Sequence, residues 1–118
     1  VGDQIGGPTS ADDIARSLIT IAKAAVAETV HWGTYHLSGE PDVSRFELAK
    51  EIVAQLFPGT DNRPYVEQIS SNDYPTKAKR PATVHLDCSK ICKDFGIERP
   101  NWSHALKRVI ADFESRAE

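Results

Sequence analysis

Two prolines that bracket three cations restrict the folding of this chain more than any other feature. Residues 74–81 read Tyr-Pro-Thr-Lys-Ala-Lys-Arg-Pro. Because each proline pushes the preceding residue towards extended backbone, Tyr74 and Arg80 do not readily become helical. The pattern therefore predicts a stiff, non-helical segment, which we name the cationic arm. It is either a solvated loop or a phosphate site in which Arg80 makes a bidentate contact and Lys77 and Lys79 add positive potential.

A second unusual segment, residues 3–9, lies near the start of the chain and reads Asp-Gln-Ile-Gly-Gly-Pro-Thr. Its glycines can adopt backbone conformations that other residues rarely adopt, and Pro8 restricts the backbone at the end of the segment. Gln4 can both donate and accept hydrogen bonds. This opening loop is either a tight connection in which Thr9 caps the next helix, or a ligand-facing loop at a helix N-terminus. In the second case backbone N–H groups favour an anion or a hydroxyl-rich ligand; the two interpretations are compatible.

Length and charge limit the class of protein. With 118 residues the chain is long enough for one domain with a modest core, and too short for two ordinary domains. The net charge of -3 argues against a general nucleic-acid binder, because such proteins usually carry a basic excess. No apolar run approaches the ~20 residues that span a bilayer, and no signal-peptide pattern is present. We therefore expect neither a nucleic-acid nor a membrane partner.

Residue patterns of common catalytic and metal sites are absent from the sequence. It contains no dinucleotide-binding glycine pattern, no nucleophile elbow and no zinc signature. The four histidines are dispersed, and Cys88 and Cys92 fit one helix face as small apolar residues. We therefore name no catalytic residue and no metal ligand in this chain. The small number of cysteines also makes the cytoplasm the default compartment.

The helical spacing of apolar residues predicts four helices, the first over about residues 11–28. Their starts are marked, in chain order, by Thr9 or Ser10, by Ser44 with Glu47, by Asp87 or Ser89, and by Pro100 with Ser103. Pro58-Gly59 ends the second helix and Gly96 stops the third. Trp102 is expected in the core, on the apolar face of the fourth helix.

Two segments have the composition of strands. Residues 33–38 form a short β-like run, and residues 65–69 alternate loosely between apolar and polar side chains. The predicted order is helix, strand, helix, strand, helix, helix, so the fold class is α/β, or mixed α+β for the chain in isolation. Two short strands make a thin sheet for an independent domain. Because the chain also starts at Val1 and has no methionine, we expect a fragment of a longer protein, although removal of an initiator would also explain this start.

Several of these segments occur together in a known enzyme family. They are residues 3–9, 33–39, 74–81, 87–90, 95–97 and 100–102. In this order they resemble segments of the dTDP-4-dehydrorhamnose reductases, which belong to the extended short-chain dehydrogenase/reductase family. The resemblance spans essentially the whole chain, and several motifs in order are more specific than any one of them.

The resemblance implies that residues 1–118 are a single C-terminal substrate-binding fragment of a Rossmann-type reductase, with the cofactor-binding part absent. The parent enzyme would use NADPH or NADH to reduce the 4-keto group of dTDP-4-dehydro-L-rhamnose to give dTDP-L-rhamnose, a precursor of cell-surface polysaccharide. The family carries its cofactor glycine motif and its catalytic tyrosine and lysine upstream, and no tyrosine of this chain is followed by lysine four positions later. We therefore predict that the fragment alone has no reductase activity.

The resemblance also assigns roles in binding a dTDP-sugar. By matching motif, Gln4 and Thr9 would lie near the sugar and Arg80 near the nucleotide, with Lys79 as a further substrate-binding candidate. Three alternatives stay open: a non-catalytic regulatory subunit of the methionine adenosyltransferase type, a stand-alone nucleotide-sugar binding module that uses Arg80 and Lys79, and a protein-interaction domain. The oligomeric state is also open, with a homodimeric parent as one option.

Overall fold

The described part of the chain folds into a small mixed sheet and four helices. A computed structural model describes residues 1–29, 31–59 and 61–117. The elements are, in chain order, β1 (Ile5–Gly6), α1 (Ala11–Val26), β2 (Val43–Ser44), α2 (Arg45–Leu56), β3 (Thr83–Val84), α3 (Ser89–Phe95) and α4 (Trp102–Ala117). The central strand β1 pairs antiparallel with β2 and parallel with β3. The predicted mixture of helices and a small sheet is confirmed.

Local capping chemistry determines where the helices start and stop. Ser10 caps α1, because its Oγ accepts the N–H of Asp13 at 3.1 Å. Ser44 and Glu47 form the predicted capping box at the start of α2. Gly96 follows α3 with a φ of 66°, a left-handed conformation that favours glycine. All four predicted helices are confirmed, although α1 is shorter than predicted and α4 begins at Trp102, so Ser103 does not mark its start. Asn101 Oδ1 instead accepts the N–H of His104 at 3.1 Å.

Both predicted strands are wrong. Residues 33–38 and 65–69 are not strands, and the three strands of the described sheet lie elsewhere. A strand needs an adjacent strand for its backbone hydrogen bonds. Residues 33–38 are instead held by side chains; for example, Lys90 Nζ donates to Thr34 O at 3.1 Å. The strands that do form are each two residues long, too short for apolar alternation to reveal them.

The core is small and is built from α3, α4 and the loop that precedes β2. Its buried apolar residues are Cys88, Ile91, Trp102 and Ala105. The indole Nε1 of Trp102 donates to Pro41 O at 2.8 Å, so the predicted core position of this tryptophan is confirmed. Cys92 is exposed, so Cys88 alone of the two cysteines packs as a small apolar side chain.

Apolar surface on α1 and on the later turns of α4 is exposed. No residue of α1 is buried, and its Leu18 and Ile19 are 60% and 55% exposed. Val109 and Phe113 of α4 are likewise exposed. No helix in the described ranges combines the length and the apolar character needed to cross a membrane. Exposed apolar patches of this kind are typical of surfaces that pack against another segment or another protein.

Candidate functional site

A cavity of about 600 Å³ lies against the sheet, and all three strands contribute to its lining. The lining residues are Gln4, Ile5, Gly6, Gly7, Pro8, Thr9, Leu37, Ser38, Val43, Ser44, Arg45, Leu48, Arg80, Pro81, Val84 and Leu86. Arg45 and Arg80 are the charged members of this set, and no described lining residue is a carboxylate. The cavity is therefore apolar over most of its wall and cationic at two points.

The structure brings together three of the four predicted substrate-binding residues. Gln4, Thr9 and Arg80 all line the cavity, although they lie far apart in the sequence. Lys79 is exposed and is not among the lining residues, so the structure does not group it with the other three. Lys77 is likewise exposed and outside the lining. That these residues bind substrate remains a prediction.

Hydrogen bonds to a distant loop fix the orientation of Gln4. Its Nε2 donates to Ser71 Oγ at 3.0 Å. Ser71 is itself held by the carboxylate of Asp3, to which it donates from its backbone N–H at 3.0 Å and from its hydroxyl at 2.8 Å. These bonds lower the pKa of Asp3, the backbone N–H having the largest effect. Gln4 is therefore presented to the cavity in a defined orientation.

Thr9 fastens the opening loop instead of capping α1. Its hydroxyl donates to Gly7 O at 3.0 Å and accepts the N–H of Gly39 at 2.9 Å. The hydroxyl proton is therefore already used within the protein. A contact between Thr9 and a sugar hydroxyl would use the remaining lone pair of Oγ1, so the sugar hydroxyl would have to donate.

Close packing, not an unusual backbone shape, requires glycine at Gly7 and Gly39. Among the described glycines, positive φ angles occur at Gly33, Gly59 and Gly96, not in the opening loop. A Cβ on Gly7 would overlap the carbonyl oxygen of Gly39, and a Cβ on Gly39 would overlap that of Pro8. Glycine is therefore needed at these two positions because it has no side chain, which lets the opening loop and the segment around Gly39 approach each other closely.

The start of α2 borders the cavity, but its N–H groups are already bonded. Ser44 N–H donates to Glu47 Oε2 at 2.8 Å, and Glu47 N–H donates to Ser44 Oγ at 3.1 Å. The N–H groups of Arg45 and Phe46 donate to carbonyl oxygens near the start of the chain at 3.3 and 3.1 Å. An anion in the cavity would therefore have to be held by side chains and not by this helix end.

An ion-pair network behind the cavity holds the loop before β2. Arg99 Nη2 donates to Asp42 Oδ1 at 2.5 Å and to Gly39 O at 2.6 Å, and Arg99 Nε donates to Ser38 O at 3.2 Å. His85, which follows β3, pairs through Nδ1 with the other oxygen of Asp42. The contact from His85 and then that from Arg99 lower the pKa of Asp42. The network ties the two outer strands of the sheet to the segment before α4.

Sequence reasoning missed Arg45, Asp42 and Arg99. A signal was available for Arg45: it is the first residue of α2, where a positive charge opposes the helix dipole and is not explained by helix stability. No comparable signal marks Asp42 and Arg99, which are 57 positions apart in the chain.

These features define a small α/β module in which a cavity lined by two arginines lies beside a mixed sheet. The chain belongs to the family described as the RmlD substrate binding domain, whose model matches residues 1–115. The predicted family resemblance is therefore confirmed.

Individual relatives agree with this family. The chain is 50% identical over 116 residues to a dTDP-4-dehydrorhamnose reductase of Aggregatibacter actinomycetemcomitans, covering 94% of this chain and 39% of the relative. It is 38% identical over 112 residues to the enzyme of that name from Sinorhizobium fredii, covering 93% of this chain and 38% of the relative. A crystal structure of a dTDP-4-dehydrorhamnose reductase from Clostridium acetobutylicum superposes with a TM-score of 0.78 at 27% identity, covering 97% of this chain and 38% of that one. The chain thus spans about two fifths of the length of the curated relatives it matches.

Proposed function

We propose that the chain is the C-terminal substrate-binding portion of a longer NAD(P)H-dependent dTDP-4-dehydrorhamnose reductase. That enzyme reduces the 4-keto group of dTDP-4-dehydro-L-rhamnose to give dTDP-L-rhamnose. One observation carries the proposal: Gln4, Thr9 and Arg80 line one cavity, in a chain that belongs to the RmlD substrate binding domain family. Residues 1–118 then act as one substrate-binding unit, and the remainder of the protein binds the cofactor.

The lining suggests how the cavity divides its contacts with a dTDP-sugar. Apolar side chains such as Leu37, Leu48 and Val84 cover the uncharged parts of the ligand and exclude water. The guanidinium of Arg80 suits a phosphate, because its planar donors match two phosphate oxygens at once. Gln4 offers an amide group to a sugar hydroxyl. Lys79, outside the lining, would contribute only to the long-range potential that attracts the anion.

The chain contributes positioning, whereas the chemical step needs groups from elsewhere. NADPH or NADH would supply the hydride, and the sequence has neither a dinucleotide-binding glycine pattern nor a tyrosine followed by lysine four positions later. We therefore propose that the remainder of the longer protein holds most of the cofactor and supplies the catalytic residues. Holding the keto-sugar in one orientation can by itself account for a large part of a rate enhancement.

Two assays on purified protein test the proposal. With dTDP-4-dehydro-L-rhamnose, the full-length protein should oxidise NADPH or NADH, and the 118-residue chain should not. In the isolated chain, dTDP should shift the NMR signals of Gln4, Thr9 and Arg80. Reductase activity of the chain by itself, or absence of activity in the full-length protein with both cofactors, would contradict the assignment.

The names of the relatives favour this function over the alternatives. The two relatives with the highest identity given above are named as reductases, and none of the named relatives is a regulatory subunit of methionine adenosyltransferase. A further relative, 28% identical over 115 residues, is the spore coat polysaccharide biosynthesis protein SpsK of Bacillus subtilis. This name supports a role in polysaccharide biosynthesis for the product.

A further inference from the structure

Two guanidinium groups line the cavity, and sequence reasoning anticipated only one of them. Arg45 lines it from the first turn of α2, and Arg80 lines it from the end of the cationic arm. Within the described ranges, neither guanidinium forms an ion pair, although Arg16, Arg99 and Arg108 do. Both side chains are also exposed, so a ligand can reach them.

Four carboxylates lie next to lining residues in the sequence, and each already accepts hydrogen bonds from another residue. Asp87, next to Leu86, accepts the N–H of Ser89 at 2.9 Å. Asp42 accepts from Arg99 and pairs with His85. Glu47 accepts the N–H of Ser44 at 2.8 Å. Asp3, next to Gln4, likewise accepts from a serine outside the cavity. None of these carboxylates forms an ion pair with Arg45 or Arg80 within the described chain, so both guanidinium groups remain available to an anionic ligand.

Helix stability gives no reason for arginine at position 45. The positive end of the α2 dipole lies at this first turn, so a cation there is unfavourable. The capping box and two backbone carbonyls occupy the first-turn N–H groups, so the helix end itself binds no anion. An arginine that helix stability disfavours, at the wall of a cavity that already carries a second arginine, is expected to serve a ligand.

We propose that Arg45 is a second anion-binding residue of this cavity and that Arg45 and Arg80 together hold the diphosphate of a nucleoside diphosphate ligand. The inference rests on the proposed function and deepens it, because it assigns a residue and a ligand feature that the family match does not specify. A diphosphate has oxygen atoms on two phosphorus centres, so each guanidinium can make its own bidentate contact.

The experiment measures the affinity of the 118-residue chain for dTDP, thymidine and inorganic pyrophosphate by isothermal titration calorimetry. The variants are Arg45→Gln, Arg45→Lys and Arg80→Gln. Arg63→Gln is the matched control, because it removes the same charge from an exposed arginine outside the cavity lining. A 1H–15N NMR spectrum of each variant checks that the fold is retained, and the guanidinium Nε–H signals of Arg45 and Arg80 report direct contact.

Arg45→Gln should lower the affinity for dTDP roughly tenfold, as loss of a charge-assisted hydrogen bond predicts. Thymidine affinity should change less than about twofold, because thymidine presents no phosphate to either arginine. Arg45→Lys should fall between wild type and Arg45→Gln, since lysine keeps the charge but loses the bidentate geometry. The Arg63→Gln variant should match the wild type with all three probes.

Two results would overturn the role of Arg45. One is an unchanged dTDP affinity in Arg45→Gln, and the other is an equal loss for dTDP and thymidine, which would indicate a structural effect. Failure of the proposed function looks different: pyrophosphate shifts the Nε–H signals of Arg45 and Arg80, but dTDP binds no more tightly than pyrophosphate. In that case the pair of arginines binds diphosphate, and the nucleotide assignment is wrong. A wild-type chain that binds none of the probes would overturn both.

Discussion

The opening loop and the cationic arm border the same cavity, but the fold holds them in different ways. The opening loop is tied to distant segments: Asp3 and Gln4 bond Ser71, and Thr9 bonds Gly39. Residues 74–80 are all exposed, and their side-chain hydrogen bonding within the described chain is local, from Thr76 Oγ1 to Ala78 O at 2.6 Å. One wall of the cavity is thus fixed by tertiary contacts, and the other is a loosely attached cationic segment.

This difference separates two contributions to ligand binding. A loop whose hydrogen-bond donors are already oriented loses little conformational entropy when a ligand binds. It can therefore define the shape of the cavity and the orientation of the ligand. An exposed arm with few tertiary hydrogen bonds would have to be ordered by the ligand, and that ordering would offset part of the binding free energy. Substitutions in the opening loop and its supports should therefore affect folding stability, and substitutions in the arm should affect binding.

The largest effect on stability is expected where the opening loop meets the segment before β2. In Gly39→Ala the new Cβ would overlap the carbonyl oxygen of Pro8 and force the two backbone segments apart. We expect a loss of roughly 3 kcal/mol in the free energy of unfolding, measured by urea denaturation. Gly6→Ala is the control, because a Cβ there comes no closer than 3.4 Å to Val84 O. Equal losses in the two variants would refute the close-packing explanation.

A smaller loss is expected when the network behind the cavity is broken. Asp42→Asn removes the charge that Arg99 and His85 contact, and should lower the free energy of unfolding by about 2 kcal/mol. The measurement is the urea midpoint at pH 7. Asp112→Asn, an exposed position on α4, should change stability by less than about 0.5 kcal/mol. A neutral outcome for Asp42→Asn would indicate that this network does not support the loop.

The same network predicts a pH dependence with a defined sign. The pKa of Asp42 is lowered from the ordinary value of 3.8, chiefly by its contact with His85. Its contribution to stability is therefore fully present above pH 3.8 and is lost as the pH falls through the lower folded-state pKa. The stability difference between wild type and Asp42→Asn, followed by urea denaturation from pH 7 to pH 2, should shrink in that range. A difference that stays constant to pH 2 would contradict this account.

The smallest change in stability is expected in the cationic arm. Pro75→Ala gives the arm more freedom, and Pro75 is exposed and outside the cavity lining. The free energy of unfolding should change by less than about 1 kcal/mol. Affinity for dTDP, measured by calorimetry, should fall roughly two- to threefold because more entropy is lost when the arm is ordered. Pro58→Ala, after α2, should leave the affinity unchanged. A large loss of stability in Pro75→Ala would show that the arm is fixed like the opening loop.

Features that depend on near neighbours in the sequence were predicted well. The caps of α1 and α2 each join residues three positions apart, so their side chains and N–H groups are visible in the sequence itself. The predicted strands failed because strand formation depends on a partner, and the described chain provides none for residues 33–38. At the candidate site, residue type and motif singled out Gln4, Thr9 and Arg80, whereas only the tertiary structure shows that Lys79 does not line the cavity with them.

The sequence by itself determined the four helices, the caps of α1 and α2 and the identity of the two unusual loops, because short-range hydrogen bonds and proline and glycine chemistry control them. Only the tertiary structure decided that these loops share one cavity, that Arg45 joins Arg80 there, and that the neighbouring carboxylates are engaged elsewhere. Those outcomes depend on contacts such as that of Gln4 with Ser71, which are 67 positions apart. Such pairings form when the chain buries apolar surface and satisfies its polar groups together, so local patterns do not encode them.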